Sequence, residues 1–343
     1  MDQYSEKMKP LLEGIHTLEA WRDKESRVRD RWLQLLGESP ETVDYKPKAL
    51  VDSKGYRILS KHEEEDHTKL EITYLSPDGN EIPAYLLLPS ETDKSPGGIP
   101  AVLALHPTTE NGKRDICLAS GRENRRYGLE LVQRGFAVLA PDSITFGDRV
   151  YPGEEPFQTA PFYKLHPRWT AVGKMLSDHM AAVDVLSSLP QINPKRIGVI
   201  GHSLGGYNGW FLAGIDQRVK AVVSSCGFTM FRGDPDPNRW GLREWFSHFP
   251  SITESLRKGS LPFEWHEIAA LAAPVPMFMW CGTKDAIFPN WREIAAGLGE
   301  LDGLYQFLNA SSVFECWIGH EGHDFPHDIR QRAYAFLEKQ LAG

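Results

Sequence analysis

Long apolar runs are missing from this chain. No stretch of about 18 consecutive apolar residues occurs in its 343 positions, so no membrane-spanning helix is expected. Clustered positive charge is missing too. The 38 Lys+Arg stand against 46 Asp+Glu, a formal charge of −8, and no long basic run offers phosphates a binding stripe. Nucleic acid is therefore not an expected partner. Cysteine is scarce: Cys117, Cys226, Cys281 and Cys316 lie far apart and form no CxxC pair. That pattern suits free, buried thiols in a reducing cytoplasm, without a disulfide framework. The opening stretch MDQYSEKMKPLLEG has no apolar h-region, so no secretory signal is expected. Neither a G-x-G-x-x-G nor a P-loop motif is present, and no internal repeat or low-complexity tract appears.

What is present reads as a folded chain. Hydrophobic residues at 41% and charged residues at 24% sit near globular averages, which argues against disorder. The length suits one large α/β domain or two ordinary ones. Residues 1–50 read as an N-terminal helical extension. Trp21, Val28, Trp32, Leu35 and Leu36 recur near helical spacing, and Gly37 with Pro40 stops the run. An exposed Trp21/Trp32 face there would serve a homo-oligomer. Residues 51–343 read as the main domain. Leu70–Leu75 and Ile82–Leu88 flank the turn cluster Ser76-Pro77-Asp78-Gly79-Asn80, predicting an antiparallel β-hairpin.

From Ile99 onward strand and helix alternate. Strands are expected at Ala101–Leu105, Phe136–Ala140, Ile197–Ile200, Ala221–Val223, Met277–Trp280 and Phe314–Ile318. Helices are expected over Tyr127–Arg134, Trp169–Leu189, Leu204–Ala213 and from near Pro326 to Lys339. Continuous apolar strands between helices imply an α/β fold: a mostly parallel sheet with helices on both faces. Two long interruptions, 143–168 and 225–273, are rich in aromatics. Insertions this long are usually lids or binding loops.

The most informative segment is Ile197-Gly198-Val199-Ile200-Gly201-His202-Ser203-Leu204-Gly205-Gly206. It places Gly-x-Ser-x-Gly between a strand and a helix. A serine on such a sharp turn is held in a strained conformation with its hydroxyl presented. A serine hydroxyl is a weak nucleophile and needs an adjacent base. Two downstream strand ends can supply one. Cys281-Gly282-Thr283-Lys284-Asp285 and Gly319-His320-Glu321-Gly322-His323-Asp324 put Asp285 and His323 after Ser203 in the order Ser…Asp…His. Groups at the carboxyl ends of parallel strands meet in one crevice. A zinc site from His320, His323 and His327 with Glu321 is the alternative for this histidine cluster. Gly319, Gly322 and Pro326 break any helix there, and Ser203 would lose its base, so no metal is expected.

From about residue 80 to its end the chain resembles the α/β-hydrolase superfamily, nearest to its dienelactone-hydrolase-like and acetyl-esterase-like branch. The motifs that carry the resemblance are Leu105-His106-Pro107-Thr108, Gly201-His202-Ser203-Leu204-Gly205-Gly206, Gly282-Thr283-Lys284-Asp285 and Gly322-His323-Asp324-Phe325. The resemblance implies Ser203 as nucleophile, His323 as base in preference to His320, and Asp285 as its acidic partner. It implies an oxyanion hole from the Leu204 amide and one on the loop after Leu105. Many relatives have His-Gly at the start of that loop. Pro107 has no N–H to donate, so Thr108 takes that role. Dienelactone hydrolases themselves carry cysteine as nucleophile, and Ser203 departs from that toward ordinary ester hydrolysis. His106 is expected to brace its loop, and Asp142 to fix the one that follows it.

The expected function is a serine carboxylic-ester hydrolase that forms an acyl-enzyme on a small to medium ester and needs no cofactor. Aromatics of the second insertion, Phe228, Trp240, Trp245 and Phe246, are candidate substrate contacts. Two other readings compete. One is a serine peptidase or amidase, although a β-propeller of the prolyl-oligopeptidase kind will not fit in the 99 residues before Pro100. The other is a non-catalytic binding protein on a hydrolase fold.

Overall fold

The continuous apolar runs become strands covered on both faces. The computed structural model describes residues 8–37, 55–90 and 97–342. The expected boundary near residue 50 and the stop at Pro40 lie outside the described residues. Among the described residues β1 (Tyr56–Glu63), β2 (His67–Leu75), β3 (Glu81–Pro89), β4 (Ile99–Leu105), β5 (Ala137–Pro141), β6 (Ile192–His202), β7 (Val219–Ser225), β8 (Met277–Gly282) and β9 (Phe314–Gly319) form one sheet. Its order is β1-β2-β3-β5-β4-β6-β7-β8-β9. Pairings from β1 to β5 along that order are antiparallel, and those from β5 to β9 are parallel. The helices are α1 (Leu18–Leu36), α2 (Arg114–Cys117), α3 (Tyr127–Val132), α4 (Ala160–Leu165), α5 (Ala171–Ser188), α6 (Leu204–Ala213), α7 (Pro250–Arg257), α8 (Trp265–Ala269), α9 (Trp291–Phe307) and α10 (His327–Gln340).

Alternate residues of each central strand enter opposite cores, as the period of two requires. Leu103, Val199, Val222 and Met279 pack with α1, α5, α6 and α9 on one face. Val102, Ala104, Ile200, Val223 and Phe278 pack with α3 and α10 on the other. The hairpin gains a third strand that the sequence reading did not resolve. β1 buries only Tyr56 fully, and Ile58 and Leu59 face outward, so this edge strand shows no apolar alternation.

α1 belongs to the core. Thr17 caps it, its Oγ1 accepting the Ala20 N–H at 3.2 Å. Trp21, Val28, Trp32 and Leu36 form its buried stripe. Trp32 meets Phe211, Phe249, Phe263 and Trp265, with ring centroids 4.8–6.4 Å apart. The Trp21/Trp32 face is thus covered by the chain itself and is not exposed for a second copy. No described helix is long and apolar enough to cross a membrane.

The two insertions are structured. Asp142 pins the start of the first, accepting Lys113 Nζ at 2.6 Å and the Asp148 N–H at 2.9 Å. The second carries α7 and α8 and closes an aromatic cluster around Trp240 and Trp265, whose rings are 4.3 Å apart. Strand order reverses direction around β4: the chain passes to β5 on one side and returns to β6 on the other. That switch opens a crevice at the carboxyl ends of the strands.

Candidate active site

Ser203 sits where β6 turns into α6, with φ 53° and ψ −117°. Such a left-handed, non-glycine conformation costs about 1–3 kcal/mol and persists only where its surroundings impose it. Two glycines make the turn tight enough. A Cβ on Gly201 would lie 2.2 Å from the Gly205 carbonyl carbon, and one on Gly205 would lie 2.0 Å from the Leu105 oxygen. The Ser203 N–H donates to the Ser225 carbonyl at 2.8 Å, tying the turn to β7.

Asp285 ends the turn after β8. Its Oδ1 accepts the Ile287 and Phe288 N–H groups at 2.7 and 3.0 Å, and its Oδ2 accepts from His323 Nδ1 at 2.7 Å. Burial pushes this carboxyl up. The His323 hydrogen bond and its charge, with those two backbone amides, outweigh burial and hold it below the usual carboxylate range. With Nδ1 donating to Asp285, His323 keeps Nε2 as the nitrogen able to take a proton. His323 and Ser203 line one cavity of about 300 Å³. Among the described residues the Ser203 hydroxyl makes no hydrogen bond to His323, a link that commonly tightens only around a substrate.

The His323 loop is braced from behind. Arg125 donates to the His323 carbonyl at 3.1 Å and to Asp324 Oδ1 at 2.9 Å. Trp280 Nε1 and Cys226 Sγ donate to the Asp324 carbonyl at 2.9 and 3.3 Å. Cys226, Asp285 and His323 place one potential metal-ligand atom each within 4.8 Å of one another. Burial pushes the Cys226 thiol far up, so it stays protonated there, and both Asp285 oxygens are already engaged. His320 lies off to the side, exposed, its Nδ1 3.1 Å from Thr283 Oγ1.

Thr108 lines the same cavity, next to Pro107. Leu204 is the first residue of α6, where a backbone N–H finds no acceptor within its own helix. His106 Nδ1 donates to the Pro107 carbonyl at 2.7 Å, and its Nε2 accepts the Ser143 N–H at 3.0 Å. Burial lowers its pKa, so it stays a neutral brace for this loop.

The four aromatic candidates divide. Trp240 and Trp245 line the cavity. Phe228 and Phe246, each 1% exposed, pack into the core below it and do not reach the wall. Sequence reasoning missed the polar part of that wall: Arg122, Arg125, Tyr207, Arg239, Arg243 and His248. The available signal was a pair of arginine groups, Arg122/Arg125 and Arg239/Arg243. Each lies in an irregular segment that the βα pattern leaves unassigned.

The family model described as "Alpha/beta hydrolase family" matches residues 122–335. The protein YtaP of Bacillus subtilis (strain 168) is 28% identical over 322 residues, 91% of this chain and 98% of that protein. A 4-O-methyl-glucuronoyl methylesterase of Phanerochaete carnosa is 24% identical over 243 residues, 63% of this chain and 58% of its own. The solved structure of a glucuronoyl esterase from Solibacter usitatus covers 99% of both chains with a TM-score of 0.73 at 17% identity. At that identity the likeness is one of fold.

Proposed function

The chain belongs to the alpha/beta hydrolase family, and from that premise we propose that it is a serine carboxylic-ester hydrolase acting through an acyl-enzyme. The observation that carries the reading is the 2.7 Å Asp285–His323 pair, whose histidine shares a cavity with a serine held at φ 53°. The glucuronoyl esterases similar to this chain in sequence or fold support an ester as the substrate. A cavity of about 300 Å³ lies at the small end of the range for small-molecule sites, which suits a small to medium ester.

The reaction begins as Ser203 Oγ attacks the ester carbonyl and His323 Nε2 takes its proton. Asp285 holds the imidazole in the Nδ1–H tautomer and stabilises its charged form. The Leu204 and Thr108 amides face the developing oxyanion. Losing one such donor costs about 3 kcal/mol of barrier. His323 then returns the proton to the departing alcohol. A water, activated by the same nitrogen, hydrolyses the acyl-enzyme. All four cysteines are free thiols, which fits a cytoplasmic compartment.

The test is a panel of 4-nitrophenyl esters set against aminoacyl anilides, with labelling by a fluorophosphonate. Ester turnover and labelling are both expected, and Ser203→Ala is expected to lose labelling and to lower kcat by about 10⁴-fold or more. Wild-type turnover in Ser203→Ala would end the assignment. Faster anilide than ester cleavage would move it to the amidases.

A further inference from the structure

The chain is acidic, yet its candidate active-site cavity is not. The formal charge is −8, while the cavity wall contains Arg122, Arg125, Arg239 and Arg243 and no Asp or Glu. Three of these cations are already answered. Arg122 makes three hydrogen bonds of 2.5–3.1 Å to the Asp115 carboxylate. Arg125 pairs with Asp324 at 2.9 Å. Arg239 grips the fully buried Asp234 with two bonds of 2.8 Å.

Arg243 differs. Its Nε donates to the Phe246 carbonyl at 2.9 Å, which orients the guanidinium. Its Cζ lies 4.2 Å from the centre of the Trp245 ring, a stacked support that leaves the outer edge of the fork free. Among the described residues no carboxylate pairs with it, and neither terminal nitrogen has a hydrogen-bond acceptor. Burial is the largest influence on it and disfavours its charge, as expected for a cation half withdrawn from water with no paired carboxylate; Tyr207 and then Asp236 favour that charge only through space, and Arg239 opposes them. Tyr207 and His248 stand beside it on the same wall and answer each other at 2.6 Å. Burial pushes the tyrosine up and the histidine well down, so both stay neutral and neither supplies the missing anion.

We propose that Arg243 is a substrate-recognition residue for an anion, and that the preferred substrates are esters that also carry a free carboxylate. A planar fork held by Nε and stacked on an indole is built for two parallel N–H···O bonds to a carboxylate. The catalytic serine lines the same small cavity, so the ester carbonyl and the anion belong to one molecule. This inference rests on the ester-hydrolase reading for its chemistry and on Arg243 alone for its selectivity.

Two matched pairs test it by pH-stat titration. Monomethyl glutarate against methyl valerate places the carboxylate on the acyl side. The acetate ester of 3-hydroxypropanoate against propyl acetate places it on the alcohol side. In at least one pair, kcat/KM for the anionic ester is expected to exceed that for the neutral one by about tenfold or more. In Arg243→Gln that ratio is expected to collapse toward one, chiefly through KM, with partial recovery in Arg243→Lys. Arg22→Gln, an exposed charge on α1 outside the cavity, is expected to keep the ratio. Glutarate binding to Ser203→Ala protein, followed by calorimetry, reads the anion site without turnover. Its affinity is expected to fall about tenfold or more when Arg243→Gln is added. Binding that depends on Arg243 with no ester cleaved would sink the hydrolase reading and leave the anion site standing. Cleavage of neutral and anionic esters at equal efficiency, with glutarate unbound, would overturn this inference and leave the hydrolase standing.

Discussion

At the scale of single residues, the site depends on where one proton is held. Asp285 has both oxygens engaged, one by two backbone amides and one by His323. The carboxylate therefore stays ionised and fixes the ring in a single tautomer. Asp285→Asn can keep the shape, but its amide can donate to Nδ1 and favour the other tautomer. Single-turnover kinetics on an activated ester is expected to show an acylation rate lower by about 10⁴-fold with the fold intact by circular dichroism. A loss under tenfold would mean that another group orients His323. His202, 4.8 Å from the His323 ring, is no substitute. Burial, then the charges of Arg125 and His323, keep it neutral and well below the ordinary histidine pKa.

At the scale of elements, close approach and aromatic packing decide. The β6–α6 turn tolerates no Cβ at Gly205, since the obstacle 2.0 Å away is a backbone oxygen of β4 that no side-chain motion can clear. Gly205→Ala is expected to destabilise by about 3 kcal/mol or more and to abolish labelling of Ser203, with urea unfolding as the measurement. α1 contributes through Trp32, fully buried among four aromatic rings from α6 and the second insertion. Trp32→Ala is expected to cost about 3–5 kcal/mol, read from the same denaturation midpoint. A cost below 1 kcal/mol would show that α1 is an appendage. The sequence reading placed this helix by its apolar spacing but could not say what it packed against.

At the scale of the whole molecule, buried charge ties together α5, the first insertion and the turn after β2, which also share one apolar core. Asp178 of α5 is 1% exposed and meets Lys174 at 2.6 Å, Arg149 of the first insertion at 2.7 Å and the Ser76 hydroxyl after β2 at 2.5 Å. Burial pushes this carboxyl up, but Lys174, Arg149 and Ser76 prevail and bring it from the ordinary 3.8 to about 2. A depressed folded-state pKa gives stability that is fully present above the unfolded value and is lost as pH falls through the folded one. Between pH 4 and pH 2 the network is thus expected to lose about 2 kcal/mol. Thermal melting across that range should fall more steeply for wild type than for Asp178→Asn. At pH 7 that variant is expected to be weaker by about 3 kcal/mol, because Lys174 is left buried without its main counter-ion. Equal acid slopes would remove Asp178 from the account.

Much of this molecule is written locally. Apolar runs such as Ala101–Leu105 between turn signals suit strands with two covered faces, and Gly-x-Ser-x-Gly between strand and helix marks a tight turn. Order along the chain then put Ser203, Asp285 and His323 at strand ends, because a parallel sheet brings those ends to one edge. The sequence by itself determined the fold class, the turn and the three residue types at one rim, since period and chain order are one-dimensional quantities. Only the tertiary structure decided that Phe228 and Phe246 face the core while Trp240 and Trp245 face the cavity. It alone paired Arg122, Arg125 and Arg239 with acids and left Arg243 without one. Which side of an irregular loop is dry, and which charge lacks a partner, depends on contacts between segments remote in sequence, and no local pattern encodes them.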